Sequence, residues 1–135
     1  GGSLGRKMLT TIGDLMHTGE QVPIVYENSN LSTIISEITQ KRLGVTLIAN
    51  KKKQLKGIIT DGDLRRMIED KKDISKIRAL DLSKSFPKWL EQNNLATKAV
   101  QLMEEYSITS LVVSTNGKKI DGIIHLHDLL KAGII

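Results

Sequence analysis

Gly57-Ile58-Ile59-Thr60-Asp61-Gly62-Asp63-Leu64 returns later in the chain as Gly122-Ile123-Ile124-His125-Leu126-His127-Asp128-Leu129. Positions 57 and 122 differ by 65, and that offset holds without a gap from about Asn30 to Arg66. It sets Leu43-Gly44-Val45-Thr46-Leu47-Ile48 on Ile108-Thr109-Ser110-Leu111-Val112-Val113, and Ile34-Ile35 on Ala99-Val100. Such a repeat is one supersecondary unit used twice, each copy covering apolar surface that the other cannot bury alone. A site at the end of one Gly-Ile-Ile strand therefore has a counterpart in the other, and the chemistry is expected where the copies meet.

Working outward, Leu31, Ile34, Ile35 and Ile38 recur at helical spacing behind Asn28-Ser29-Asn30, which supplies the cap, so a helix is predicted over 31–41. Val45 to Ala49 is a β-branched run and reads as a buried strand. Asn50 to Gln54 reads as a polar hairpin loop and Leu55 to Thr60 as the return strand, after which a second helix starts at Asp61. Val22-Pro23-Ile24-Val25 is a short extended run, its proline confining it to a strand start or edge. The unit is β-α-β-β-α. In the second copy Asn93-Asn94 are expected to cap a helix bearing Ala99, Val100, Met103 and Tyr106. Strands at Ser110–Ser114 and Ile120–Ile124 follow around Asn116-Gly117, then a helix from about His127 to Lys131. Residues up to about Thr11 read as a connector, and Asp70 to Arg78 as a charged link between the copies.

The 135 residues carry a net charge of +5, an apolar share of 39% and aromatics of only 3%, which specifies one domain-sized core of Ile, Leu and Val. The basic residues are scattered, and Tyr26, Phe86, Trp89 and Tyr106 form no stacking platform, so no nucleic-acid partner is expected. A small anionic ligand is the better use of the charge. No apolar run is long enough to span a bilayer, so no membrane partner is expected. The lack of cysteine removes thiol chemistry and fits the cytoplasm.

Thr60 and Asp63 sit three apart at a strand-to-helix junction, and two readings share that geometry. One is a capping box, in which hydroxyl and carboxylate satisfy the first N–H groups of the helix. The other is a ligand site, with helix N–H groups offered to an anion and a carboxylate to sugar hydroxyls. Asp61 and Arg65 belong to the same junction, Arg65 and Arg66 as a phosphate fork. His125, His127 and Asp128 are the second copy's equivalent. Two histidines alternating on a strand share a face, but a metal needs three or four converging ligands, and His17 is far away in sequence; no metal is expected. Nor is any catalytic residue, because no acid–base constellation, P-loop or nucleophile elbow is visible.

The twice-used Gly-Ile-Ile ending of a β-α-β-β-α unit resembles the cystathionine-β-synthase (CBS) motif, over nearly all of residues 14–131. The resemblance implies an α+β fold of two repeats packed as a pseudo-two-fold pair, often a regulatory binder of adenosine nucleotides. Four further blocks are similar to the C-terminal part of bacterial arabinose 5-phosphate isomerases. They are the opening Gly1-Gly2-Ser3-Leu4-Gly5-Arg6-Lys7, Asp14-Leu15-Met16-His17-Thr18-Gly19, Thr60 through Arg66, and His125 through Gly133. That resemblance implies a parent enzyme of Kdo (3-deoxy-D-manno-octulosonate) and lipopolysaccharide synthesis, with its sugar-isomerase domain N-terminal to this chain. It implies a connector over 1–15, a first CBS copy over 16–73 and a second over 81–135. It also implies a nucleotide or nucleotide-sugar effector such as CMP-Kdo, no resident cofactor, and assembly as a dimer of pairs within a tetrameric parent. Two departures fall in the second copy: Asp81-Leu82-Ser83 lacks the methionine of Asp14-Leu15-Met16, and Phe86-Pro87-Lys88-Trp89 replaces Val22-Pro23-Ile24-Val25. An assembly domain without ligand is the alternative.

Overall fold

The structure, a computed structural model, describes residues 2–70 and 73–135; Lys71 and Lys72 of the charged link, and Gly1, lie outside them. The chain divides into two compact units, one of Glu20–Pro87 and one that joins the chain through Gly19 to Lys88–Ile135. The chain through Gly19, including the opening of the first copy expected over 16–73, thus folds with the second copy. Its opening residues, expected to be a connector, form helix α1 (Gly2–Leu9), followed by the short α2 (Ile12–Leu15).

In the unit Glu20–Pro87 a three-stranded sheet runs β1 (Ile24–Tyr26), β2 (Val45–Ala49), β3 (Leu55–Thr60), with β1 parallel and β3 antiparallel to β2. Pro23 stands just before β1, where its missing N–H breaks no ladder bond. Helix α3 (Leu31–Lys41) has the expected bounds. Asn30 Oδ1 accepts from the Thr33 N–H at 3.0 Å, and the helix stops where Arg42 turns left-handed at φ 63°. Its Leu31, Ile34 and Ile38 pack with Val25, Ile48, Ile59 and Met67 of α4 (Asp61–Glu69) in one core. All five residues of β2 are buried, so both faces of that strand are covered. The chain closes this unit through α5 (Ala79–Leu82), tied back by the Ala79 N–H on Ser29 O at 2.9 Å.

The other unit repeats the plan. β4 (Trp89–Leu90) is parallel and β6 (Gly122–His125) antiparallel to β5 (Ser110–Val113). The registers repeat at the offset of 65: Leu47 pairs with Ile58 as Val112 with Ile123, and Val45 with Thr60 as Ser110 with His125. Trp89 pairs with Val112 as Ile24 pairs with Leu47, so Trp89 takes the place of Ile24, one position away from the proline-on-proline match of the sequence. The core joins Ile12, Ala99, Met103, Leu111, Ile124 and Leu129.

Three local expectations are corrected. Helix α6 (Ala96–Tyr106) begins after Leu95, whose apolar side chain has no acceptor to offer as a cap, and the Ala96 N–H donates to Thr10 O at 2.8 Å. Asn94 instead closes a turn onto Glu91 O. Strand β6 ends one residue later than expected, at His125, and helix α7 (Leu126–Lys131) starts directly after it. Hence His125 and His127 do not alternate on one strand. Among the described residues no helix is long and apolar enough to cross a membrane.

Two strand-to-helix junctions as the candidate ligand site

At the first junction Thr60 ends β3 and caps α4. Its hydroxyl accepts from the Asp63 N–H at 3.2 Å, while Asp63 Oδ2 accepts from the Thr60 N–H at 2.8 Å and from the Thr60 hydroxyl at 3.0 Å. The other oxygen, Oδ1, takes the Arg66 guanidinium. Asp63 is only 9% exposed, and its charge is matched by these donors and by the start of a nine-residue helix. Arg66 is therefore drawn onto Asp63 rather than forming a fork with Arg65, which lies exposed. Asp61 is exposed in the first turn, its N–H donating to Gly44 O at 3.2 Å.

The second junction keeps the carboxylate and changes the cap. Asp128 Oδ2 accepts from the His125 N–H at 2.8 Å, and His125 Nδ1 accepts from the His127 N–H at 3.0 Å. An imidazole nitrogen that accepts is unprotonated, so His125 serves as a cap only in a form with its proton on Nε2. Burial first, and then His127, hold the His125 imidazole below its ordinary value; Asp128 acts the other way and His17 adds to the lowering. The rings of His125 and His127 meet at 4.4 Å between centroids. Asp128 Oδ1 takes no arginine. It accepts from His17 Nε2 at 2.8 Å, across 111 residues of sequence. All three histidines of the chain gather here.

The same carboxylate device opens the two short helices as well. Asp14 and Asp81 accept from the backbone N–H of Thr11 and Arg78. Bonds from the Thr11 backbone and side chain hold the Asp14 carboxyl below its usual range.

The glycine that begins each repeated phrase answers to a crossing segment. A Cβ on Gly57 would stand 2.4 Å from Ser83 Oγ and 2.9 Å from Ser83 Cβ. A Cβ on Gly122 would stand 2.4 Å from the His17 carbonyl oxygen. That backbone is held in place, because the His17 N–H donates to Ile123 O at 2.8 Å and the Ile123 N–H to His17 O at 3.1 Å. A side chain at either glycine would therefore collide with the chain itself.

Each junction thus brings its predicted residues together: Thr60 with Asp63, and His125 with His127 and Asp128. Sequence reasoning missed two neighbours. His17 carried no local signal. Ser110 did carry one, as a hydroxyl in an apolar strand where the first copy has Val45. Ser110 is 6% exposed and its Oγ has no hydrogen-bond partner. Two surface depressions, of about 600 and 340 Å3, lie along α6 around Lys98 and Gln101 and include no junction residue. Among the described residues no group of three or more histidines or carboxylates is arranged to hold a metal ion.

The CBS domain model matches residues 12–70 and 81–134, and the chain belongs to the CBS domain family. Among curated relatives it is 41% identical over its whole length to the arabinose 5-phosphate isomerase KdsD of Yersinia pestis, of which it spans 41%. It therefore spans about two fifths of the length of that relative. Among solved structures it is similar to CBSX2 in complex with AMP, with a TM-score of 0.80 and 21% identity over 93% of this chain and 96% of that one. It is likewise similar to the CBS domain protein PAE2072 from Pyrobaculum aerophilum complexed with AMP, with a TM-score of 0.77 and 17% identity over 93% and 99%.

Proposed function

We propose that this chain is the regulatory CBS pair of an arabinose 5-phosphate isomerase and that it binds a nucleotide or nucleotide sugar at its strand-to-helix junctions. The observation that carries the reading is the pair of aspartates, the buried Asp63 and the partly buried Asp128, each fixed by a backbone N–H at the start of a helix. Fixed carboxylates are preorganised acceptors for vicinal sugar hydroxyls. An arabinose 5-phosphate isomerase as the parent is supported by the relative of Yersinia pestis; on this reading the parent converts ribulose 5-phosphate to arabinose 5-phosphate for Kdo and lipopolysaccharide synthesis in the cytoplasm. The 135 residues alone should not turn it over, and an isomerase assay with a mock purification checks that. An adenosine nucleotide is supported by the two AMP complexes. CMP-Kdo, the activated end product, is favoured by His125 standing where the first copy has Thr60, and it gives the effector a feedback role.

Thermal shift with AMP, ATP, CMP and CMP-Kdo tests the reading. A ligand at 100 times its dissociation constant stabilises by about 2.7 kcal/mol. Calorimetry on Asp63→Asn then asks whether the carboxylate touches ligand. A charge-assisted bond is worth about 1.5–3 kcal/mol, so affinity should fall about ten- to a hundredfold. Unchanged affinity leaves Asp63 as a cap only.

The second reading, an assembly domain without ligand, is favoured by apolar side chains left exposed on helices: Ile35, Ile68, Tyr106 and Leu130. Both readings expect self-association as a dimer of pairs, which sedimentation checks. No stabilisation by any of the four nucleotides would leave the assembly reading in possession.

A further inference from the structure

Trp89, which stands where the first copy has Ile24, sets a condition on the hairpin loop between β5 and β6. Its indole lies against Gly117, where a Cβ would stand 2.9 Å from the ring carbon Cε2. Gly117 is also left-handed, at φ 81°, so any other residue is strained there. The residue before it is the exposed Asn116. The loop therefore carries Asn-Gly, the pair in which an asparagine amide is chemically least durable, because no side chain shields the backbone nitrogen that follows.

Loss of that amide needs only water. The Gly117 nitrogen gives its proton to solvent and bonds to Asn116 Cγ; the Cγ–Nδ2 bond breaks, and the nitrogen takes a proton back from solvent and leaves as ammonia. Water then opens the succinimide at either carbonyl, giving aspartate or isoaspartate. The Gly117 N–H must be free to ionise, and Cγ must turn onto the nitrogen. Here the Gly117 N–H donates to Ser114 Oγ at 2.8 Å, and the Asn116 N–H donates to the same oxygen at 3.3 Å. Asn116 Oδ1 accepts from the Lys118 and Lys119 N–H groups, both at 2.9 Å, which fixes the amide by its oxygen. Ser114 is fully buried, and its own N–H donates to Leu90 O at 3.0 Å, on the strand that bears Trp89. The first copy supplies the comparison. Its hairpin loop is also built on an asparagine, Asn50, but Lys51 follows it, and Ala49 stands at the counterpart of Ser114. The hydroxyl is present in the copy whose loop holds Asn-Gly and absent from the copy that has no need of it.

We propose that Asn116-Gly117 is a deamidation site that the Ser114 hydroxyl holds shut in the folded protein. The reaction proceeds from the opened loop, so its rate follows the population in which the Ser114–Gly117 bond is broken. Its product carries a new carboxylate near Asp121, which already binds the Thr115 hydroxyl at 2.7 Å and faces Lys119 at 3.7 Å. As isoaspartate it also adds one carbon to the main chain beside Trp89. The proposal is independent of any effector.

Incubation of the full 135 residues under mildly alkaline conditions tests it, with peptide mapping by mass spectrometry to read aspartate and isoaspartate at each asparagine. Folded wild type should deamidate at Asn116 at least about tenfold more slowly than the same chain unfolded in urea. Ser114→Ala should speed the folded reaction about five- to tenfold, the worth of one lost hydrogen bond, and Ser114→Thr, which keeps the hydroxyl, should restore the slow rate. The acceleration should be confined to Asn116. An equal acceleration at Asn28-Ser29 would mean that the variant loosens the whole fold, and it overturns the role given to Ser114, as does an unchanged rate in Ser114→Ala. Should that variant not fold, hydrogen exchange of the Gly117 amide in wild type decides: a protected amide supports the guard, and a freely exchanging one overturns it. Equal rates for folded and unfolded wild type sink the proposal outright.

Discussion

Thr60 and His125 occupy the same position in two copies of one device, yet their neighbours make them opposites. In the first junction the carboxylate of Asp63 is clasped by Arg66, three residues on along the same helix. In the second the carboxylate of Asp128 is clasped by His17, from a segment 111 residues away. The first cap is a hydroxyl with no titration in the physiological range; the second is an imidazole that caps only while Nδ1 is unprotonated. One backbone geometry therefore supports a locally sealed, pH-indifferent joint and a joint that pins the start of the chain and feels protons. A repeat copies the backbone requirement, and the tertiary neighbours decide what each copy does with it.

The sharpest way to break the symmetry is at the glycines. Gly122→Ala drives a methyl into a carbonyl oxygen that two backbone hydrogen bonds hold in place, and it should cost about 3 kcal/mol or more. Gly57→Ala meets a serine side chain instead and should cost about 1–2 kcal/mol. Urea denaturation of both variants gives the comparison. Coupling with Ser83→Gly should recover much of the loss at Gly57, and an equal loss with and without that partner would show that Ser83 is not the obstacle.

The caps come next. Because the folded imidazole of His125 sits below its ordinary value, the folded state resists its protonation and the unfolded chain does not. Its contribution is complete above about pH 6.5 and declines as pH falls below it, toward the folded value. His125→Thr, which installs the first copy's cap, should remove the acid-side loss that the imidazole contributes. Thermal melts between about pH 8 and pH 5 would show wild type falling more steeply than the variant. Parallel curves would mean that the imidazole titrates elsewhere.

The smallest effect expected is at the two long helices. Asn30 caps α3, but its counterpart Leu95, 42% exposed, caps nothing on α6. Leu95→Asn should therefore stabilise by about 0.5–1 kcal/mol, and Asn30→Ala should destabilise by a similar amount. Chemical denaturation decides, and a neutral Leu95→Asn would mean that the Thr10 carbonyl already fixes the helix start.

The bounds of α3, the strands β2 and β3 and the start of α4 were legible in the sequence, because each depends on a window of a few residues. The spacing of Leu31, Ile34 and Ile38, the β-branched run from Val45 and the Thr60–Asp63 spacing are local patterns with local causes. The copying of register at an offset of 65 followed from the repeat. The start of α6 misled for the same local reason: Asn93-Asn94 has cap chemistry, but the helix starts after Leu95, where the Ala96 N–H donates to the distant Thr10 carbonyl.

By itself, then, the sequence determined that this protein is one β-α-β-β-α unit used twice, with a carboxylate at each strand-to-helix junction. Only the tertiary structure decided that the chain through Gly19 folds with the second copy, that His17 reaches Asp128, and that Ser110 is buried beside His125 with nothing to bond. The physical reason is one of range. Capping and periodicity are settled between residues three or four apart, whereas a contact across 111 residues depends on the path of the chain, which no spacing in the sequence records.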